Sequence, residues 1–464
     1  MRGTLTSSIG VTCATALALP LALPALPATA APARPSASGR PAEAAAPARP
    51  SGAGVPGSTR SLPLVPLTHE RVLGTAPVQG LYRPDGEHFS LVGVVWDDPD
   101  TELHGSVQVR TRPARPGKWS GWQDVETHNA DHGADPGTAE RQARRVRGAT
   151  APLWVGASQG VEVRVRAVAG DANGRAQGGR THAPRPPLPS GLRLELVDPG
   201  AAPPPADAPA DAPRTGPQTD AAQAAWAADR DTAGFGALEI PALGRRATER
   251  ELARLHGPVR GKPYIGPRPK IVTRRGWGAD ESLRDPGFVY TKKVKVAFVH
   301  HTASGNNYTC SQAPSVIRSI YRYHVRSMGW LDIGYNFLVD KCGTIYEGRA
   351  GGVTKAVLGA HTAGFNNDST GIAVIGSYGE TKPSGAAVTA VARIAAWKLG
   401  LYGADPRGRT YLTSGGGNLF PEGKNVRLNV LSGHRDGFAT ECPGKWLYAK
   451  LGTARSGAAR YQGR

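Results

Sequence analysis

Beyond residue 30 the sequence has no apolar run long enough to span a bilayer, which excludes a further membrane anchor. Acidic residues are in deficit, 37 against 56 lysines and arginines, so the formal charge is +19. That imbalance favours polyanionic partners such as nucleic acid, acidic lipid or the anionic polymers of a cell wall, without choosing among them. No nucleic-acid recognition module accompanies the charge, so specific nucleic-acid binding is not expected. No internal repeat is present. Cysteine is scarce, with only Cys13, Cys310, Cys342 and Cys442. Glycine and proline are the abundant residues, at 60 and 40. Average usage puts the two together at only ~12% of a chain, so one compact helical globule is excluded in favour of turn-rich domains and linkers. The 464 residues allow two or three domains at about 100–200 residues each.

The N-terminus reads as a secretory signal. Arg2 precedes an apolar stretch over residues 9–26, and Ala28-Thr29-Ala30 supplies a small-x-small cleavage site. Pro20, Pro24 and Pro27 would break a spanning helix. Cleavage after Ala30 gives a soluble, exported, monomeric product without a transmembrane anchor. Cys13 leaves with the signal, and an odd count of three cysteines outside the cell gives one thiol a separate task.

Residues 31–58 are rich in Ala, Pro, Gly and Ser and read as a disordered leader. Residues 59–199 carry short runs such as 89–96, 106–111 and 161–166, in which β-branched residues alternate or cluster between Gly, Pro and Asp turns. They predict an all-β, sandwich-like module. Residues 200–217 form a Pro/Ala spacer, and the whole of 200–269 reads as a linker with local helical patches. This arrangement predicts two separately folded units on a tether, so a chain starting near Lys262 should keep the chemistry. In residues 270–455, strand runs at 294–299, 335–339 and 371–375 alternate with helical patterns at 313–325 and 388–399, which predicts an α/β domain. Residues 456–464 read as a tail.

Chemistry concentrates in that last domain. His300 and His301 end the apolar strand, where a sheet rim offers a rigid site. His434 lies in Ser432-Gly433-His434-Arg435-Asp436, and Cys442 follows in Glu441-Cys442-Pro443-Gly444. A thiolate with two imidazoles is a zinc donor set that leaves a fourth position open. Read by residue type alone, each histidine is also compatible with a surface or core role, and Cys442 with a disulfide.

In order along the chain stand Arg275-Gly276-Trp277-Gly278-Ala279, Val299-His300-His301-Thr302, Tyr323-His324-Val325, a segment from Gly329 to Phe337, Tyr346-Glu347-Gly348-Arg349, Gly359-Ala360-His361, Gly433-His434-Arg435 and Glu441-Cys442-Pro443-Gly444. With these motifs, residues 271–452 resemble the zinc amidase family that includes peptidoglycan recognition proteins and N-acetylmuramoyl-L-alanine amidases. The resemblance implies a mixed central sheet flanked by helices. It implies zinc held by His300, His434 and Cys442, with His301 a neighbour. It also places Tyr335 and Thr440 at catalytic positions and His361, Trp330, Asn336 and Arg349 along a substrate groove. Glu281 is either a base, as in some relatives, or a solvated carboxylate. With Cys442 given to zinc, Cys310 and Cys342 are expected to form a disulfide.

The implied activity is secreted, zinc-dependent hydrolysis of the amide joining N-acetylmuramic acid to L-alanine in peptidoglycan, with the muramyl-peptide as partner and anionic wall polymers as further contacts. The alternative is a non-catalytic peptidoglycan-binding protein of the same fold. The β-module resembles a region preceding the amidase domain in other secreted bacterial amidases, on Phe89-Ser90-Leu91-Val92-Gly93-Val94, Trp119-Ser120-Gly121-Trp122 and Leu153-Trp154-Val155-Gly156. Those tryptophans either stack on sugars or fill a sandwich.

Overall fold

The structure, a computed structural model, describes residues 57–67, 78–114, 117–127, 131–143, 145–167, 187–201, 220–234, 236–258 and 260–464. The signal, almost all of the leader and most of the Pro/Ala spacer lie outside these residues. Among the described residues, no helix is long and apolar enough to cross a membrane.

The N-terminal module contains β1 (Ser58–Pro63), β2 (Val65–Pro66), β3 (Val78–Arg83), β4 (Phe89–Trp96), β5 (Gly105–Pro113), β6 (Gln123–Val125), β7 (Gly148–Ala149), β8 (Leu153–Ala167) and β9 (Arg193–Asp198). All pairings are antiparallel. The main path runs β1-β9-β4-β8-β3-β2, and β5 adds to β8. The first part of β8 pairs with β4 and the second lies between β3 and β5, so one strand links both halves of the fold. Val92 and Val94 of β4 point into the module core with Val107, Val163 and Leu194. The side chains of Leu91 and Val95, one pleat position away, face outward and are equally buried.

The C-terminal domain contains α1 (Asp220–Ala228), β10 (Glu239–Ile240), α2 (Arg245–His256), β11 (Ile271–Val272), α3 (Arg274–Trp277), β12 (Val296–His301), α4 (Ala313–Arg322), β13 (Phe337–Val339), β14 (Ile345–Glu347), β15 (Ser369–Val374), α5 (Gly385–Gly400), β16 (Arg409–Thr413), β17 (Asn425–Asn429), β18 (Leu431–Gly433), α6 (Lys445–Tyr448) and α7 (Leu451–Gln462). Its mixed sheet runs β10-β11-β14-β13-β15-β12-β18, with β13, β15, β12 and β18 mutually parallel and β18 at the edge. Strand alternation sorts the faces. Val299, Phe337, Val339, Ile372 and Val374 meet α5 and α7, whereas Leu338 and Ala373 meet α4. His300, out of phase with Val299, is therefore directed away from the α5 face at the end of a fully buried strand.

Three features differ from the sequence reading. First, the described residues of 220–269 are not linker. Strand β10 pairs with β11, and Ile240, Leu252 and Ile265 lie in the α5-side core. Their apolar pattern is too sparse to announce a core because the larger domain supplies most of it. Second, the expected tail belongs to α7, where the buried Gln462 side chain donates to Ala396 and Ala404 carbonyls at 3.0 and 3.2 Å. Third, the two modules are not separate along their described parts. Leu91, Val95, Trp154 and Val197 share one core with Val316, Ile317, Ile320 and Tyr323 of the C-terminal domain. Gly93 admits the Tyr323 ring, which a Cβ at that position would strike. The Tyr323 hydroxyl donates to the Thr150 carbonyl at 3.1 Å. Both faces of β4 are apolar, and α4 covers the outer one.

Candidate metal centre

Three segments from one domain and one from the other converge. His300 comes from the end of β12, His434 opens the short 3-10 turn after β18, and Cys442 sits in the loop before α6. His132 comes from the loop between β6 and β7 of the N-terminal module. One ligand atom from each of the four lies within 4.8 Å of every other, and all four residues are buried. Cys442 Sγ is 3.6 Å from His132 Nε2 and 3.8 Å from His300 Nδ1.

These residues fit a zinc ion. A tetrahedral site with ~2.1 Å nitrogen and ~2.3 Å sulfur bonds needs ligand atoms roughly 3.4–3.8 Å apart. Both ring nitrogens of His434 are buried without a hydrogen-bond partner, an expensive state unless something else is bound there. Burial and the neighbouring histidines hold His300 well below its usual range. Burial, with His132, lowers His434 to about 3. Both are neutral, as ligands must be. Burial and the Asp131 charge push the Cys442 thiol upward; a bound cation is the counter-charge that permits a thiolate here.

Behind the cluster, His300 Nε2 shares a hydrogen bond with His361 Nδ1 at 3.2 Å and another with Thr362 Oγ1 at 3.3 Å. That fixes the ring with Nδ1 toward Cys442. The Tyr335 ring centroid is 5.6 Å from that of His300, and the residue is buried. Burial, Cys442 and Asp131 keep its phenol protonated far above the usual range. Thr440 is half-buried, and its hydroxyl accepts from the Cys442 amide at 3.1 Å. His301 turns aside: its Nδ1 accepts from the Tyr378 amide at 3.3 Å, and Nε2 is 3.6 Å from Glu126. Cys310 and Cys342 form a disulfide, and Cys442 is a free, buried cysteine.

Residues 290–445 match the family described as N-acetylmuramoyl-L-alanine amidase, and residues 41–190 match Rv3811 N-terminal galactose-binding domain-like. Peptidoglycan-recognition protein SC2 of Drosophila simulans is 31% identical over 185 residues, covering 39% of this chain and 85% of the relative. The chain belongs to the peptidoglycan recognition protein and N-acetylmuramoyl-L-alanine amidase family. Peptidoglycan recognition protein 1 of Bos indicus is 33% identical over 184 residues, covering 38% of this chain and 80% of that relative. Among solved structures, peptidoglycan recognition protein-LE in complex with tracheal cytotoxin, a monomeric diaminopimelic acid-type peptidoglycan, is 30% identical. It covers 39% of this chain and 92% of that chain, with a TM-score of 0.32.

Several residues expected at the site of this family member lie elsewhere. Glu281 is neither base nor solvated: its buried carboxylate accepts from Arg274 Nε at 2.7 Å and Arg284 Nε at 2.7 Å. Two guanidiniums leave it a structural counter-ion. His361 is fully buried behind His300 instead of lining a groove. Asn336 is also buried, donating to the Val357 carbonyl at 3.0 Å and accepting from the Gly371 amide at 2.8 Å. Trp330 and Arg349 lie under the N-terminal module: Gly133 abuts Trp330, and Glu140 pairs with Arg349. Trp119 and Trp122 are half-buried, with Arg110 beside both rings and Arg164 4.0 Å from the Trp122 centroid. His132 was invisible to motif reading, since its meeting with Cys442 depends on how the two modules dock.

Proposed function

We propose that the protein is a secreted zinc hydrolase that cleaves the amide between the lactyl group of N-acetylmuramic acid and the L-alanine of the peptidoglycan stem. The observation that carries this reading is the convergence of His300, His434 and Cys442 beside Tyr335. When bound, zinc supplies an activated water and polarises the amide carbonyl. The remaining work belongs to the chain. His361 and Thr362 hold the His300 ring in one orientation. Tyr335, kept protonated, has a hydrogen to donate to the carbonyl oxygen as it gains charge. The Thr440 hydroxyl, which accepts from the Cys442 amide at 3.1 Å, would assist the same oxygen. Only with the N-terminal loop withdrawn from them would Arg349 offer a permanent positive charge to a stem-peptide carboxylate and Trp330 an apolar wall. The net charge of +19 suits an anionic wall.

A non-catalytic binder of the same fold is the second reading, and one observation favours it: His132 stands at the fourth corner of the cluster, where a hydrolytic site needs an opening. Digestion of purified peptidoglycan followed by mass spectrometry separates the two. New free L-alanine amino termini, absent when zinc is chelated, support the amidase. Binding without bond cleavage, under conditions that release the N-terminal module, would leave the binder.

A further inference from the structure

We propose that His132 is a fourth, protein-supplied metal ligand and that residues 131–140 of the N-terminal module form a plug that holds the zinc site closed. The metal part of this proposal stands on its own; the consequence for catalysis rests on the amidase reading.

The geometry is that of a built ligand. The amide of His132 and its ring Nδ1 both lie 3.0 Å from Asp131 Oδ1, a buried carboxylate. Donation from Nδ1 fixes the tautomer and leaves Nε2, the atom 3.6 Å from Cys442 Sγ, bare for a metal. The loop is then locked from the C-terminal side. The Ala363 amide donates to the Asp131 carbonyl at 3.0 Å, Asn366 Nδ2 to the Gly133 carbonyl at 2.8 Å, and the Gly364 amide to Asp135 Oδ1 at 2.8 Å. Further along the same loop, the Glu140 carboxylate occupies both terminal nitrogens of Arg349 and accepts from the Leu331 amide at 3.1 Å.

One loop therefore meets two needs of a substrate at once: the open metal position and the cation that would take a carboxylate. Four protein ligands make a closed, structural type of zinc site, whereas hydrolysis needs one position for water. In this conformation the protein is latent, and release of the loop opens both positions together. A substrate fragment competing with a tethered plug binds with an affinity reduced by the fraction of molecules in the open form.

The test uses the full chain loaded with cobalt(II) in place of zinc, because its visible absorption reports ligand number and identity. Azide is the probe for an open position. In the unaltered protein the cobalt spectrum should show thiolate coordination and ignore azide. His132→Ala should retain cobalt, shift the spectrum, and respond to azide. Glu140→Gln, remote from the metal and expected to fold, should give an intermediate response by loosening the loop. Binding of a soluble muramyl-peptide should tighten at least about tenfold in His132→Ala. An azide response in the unaltered protein equal to that of His132→Ala, or no stoichiometric cobalt in either, would overturn the proposal. If the azide responses appear as expected but no variant cleaves peptidoglycan, the plug stands and the amidase reading fails.

Discussion

The carboxylate of Glu140 accepts from both terminal nitrogens of Arg349, at 2.9 and 2.6 Å, and so joins the two modules by a buried ion pair. Burial opposes the charge on Arg349, but Glu140 more than compensates and raises its pKa. Removing one partner strands a charge, at a cost of about 3–5 kcal/mol. Glu140→Ala and Arg349→Ala should each destabilise by that order in chemical denaturation. The double variant should lose clearly less than the sum. Additive losses would mean that the pair is not coupled.

Metal content measured beside hydrolysis separates ligand from catalytic group. Cys442→Ala should lose zinc and activity together, because two or three imidazoles without the thiolate bind more weakly. Tyr335→Phe should keep stoichiometric zinc and the fold but lose roughly 100-fold in turnover, the usual worth of one oxyanion donor. Thr440→Ala should fall by less. These rates are to be taken with the His132 loop open, and wild-type turnover in Tyr335→Phe would remove that residue from the mechanism.

The Cys310–Cys342 disulfide spans a sequence separation of 32, tying the turn before α4 to the turn after β13. Chain-entropy reasoning gives about 3–4 kcal/mol for a loop of this length. Thiol titration of the denatured, metal-free protein lacking residues 1–30 should find one free thiol. Replacing both cysteines by serine should lower the denaturation midpoint without altering zinc content.

Truncation should be far less benign than the sequence suggests. A chain beginning near Lys262 lacks Ile240 and Leu252 from the α5-side core and lacks the β10 partner of β11. It also bares Val316, Ile317 and Ile320 on α4, which the β-module covers. Such an apolar face invites aggregation. The expected result is an aggregated or weakly folded product by light scattering and circular dichroism. A monodisperse chain with native stability would show that the shared core is dispensable.

Stability should also carry a lysine-dependent slope at alkaline pH. Burial lowers Lys398 from 10.5 to about 7, although Asp229 works in the opposite direction. Below pH 7 folded and unfolded chains both hold this proton. Between about 7 and 10.5 the unfolded chain holds it and the folded chain does not, so this group makes stability rise with pH across that window. Denaturation midpoints from pH 6 to 10 should show the rise, and Lys398→Met should remove it. Parallel pH profiles for the two proteins would count against the shift.

By itself the sequence determined what short, contiguous chemistry can encode. The strand ending in His300, the Gly433-His434 turn and the Cys442 loop are each local signatures, and the α/β pattern fixed how they would be carried. The strand pleat likewise decides that His300 and Val299 face opposite sides of the sheet. Tertiary structure decided the rest. Glu281 looks like an available carboxylate until Arg274 and Arg284 are folded against it. The described residues of 220–269 look like linker because their few apolar side chains complete a core made elsewhere. The apolar character of both faces of β4 is written in the sequence, but not that α4 covers its outer face. That docking brings His132 to Cys442, through contacts between residues far apart along the chain that no local pattern specifies.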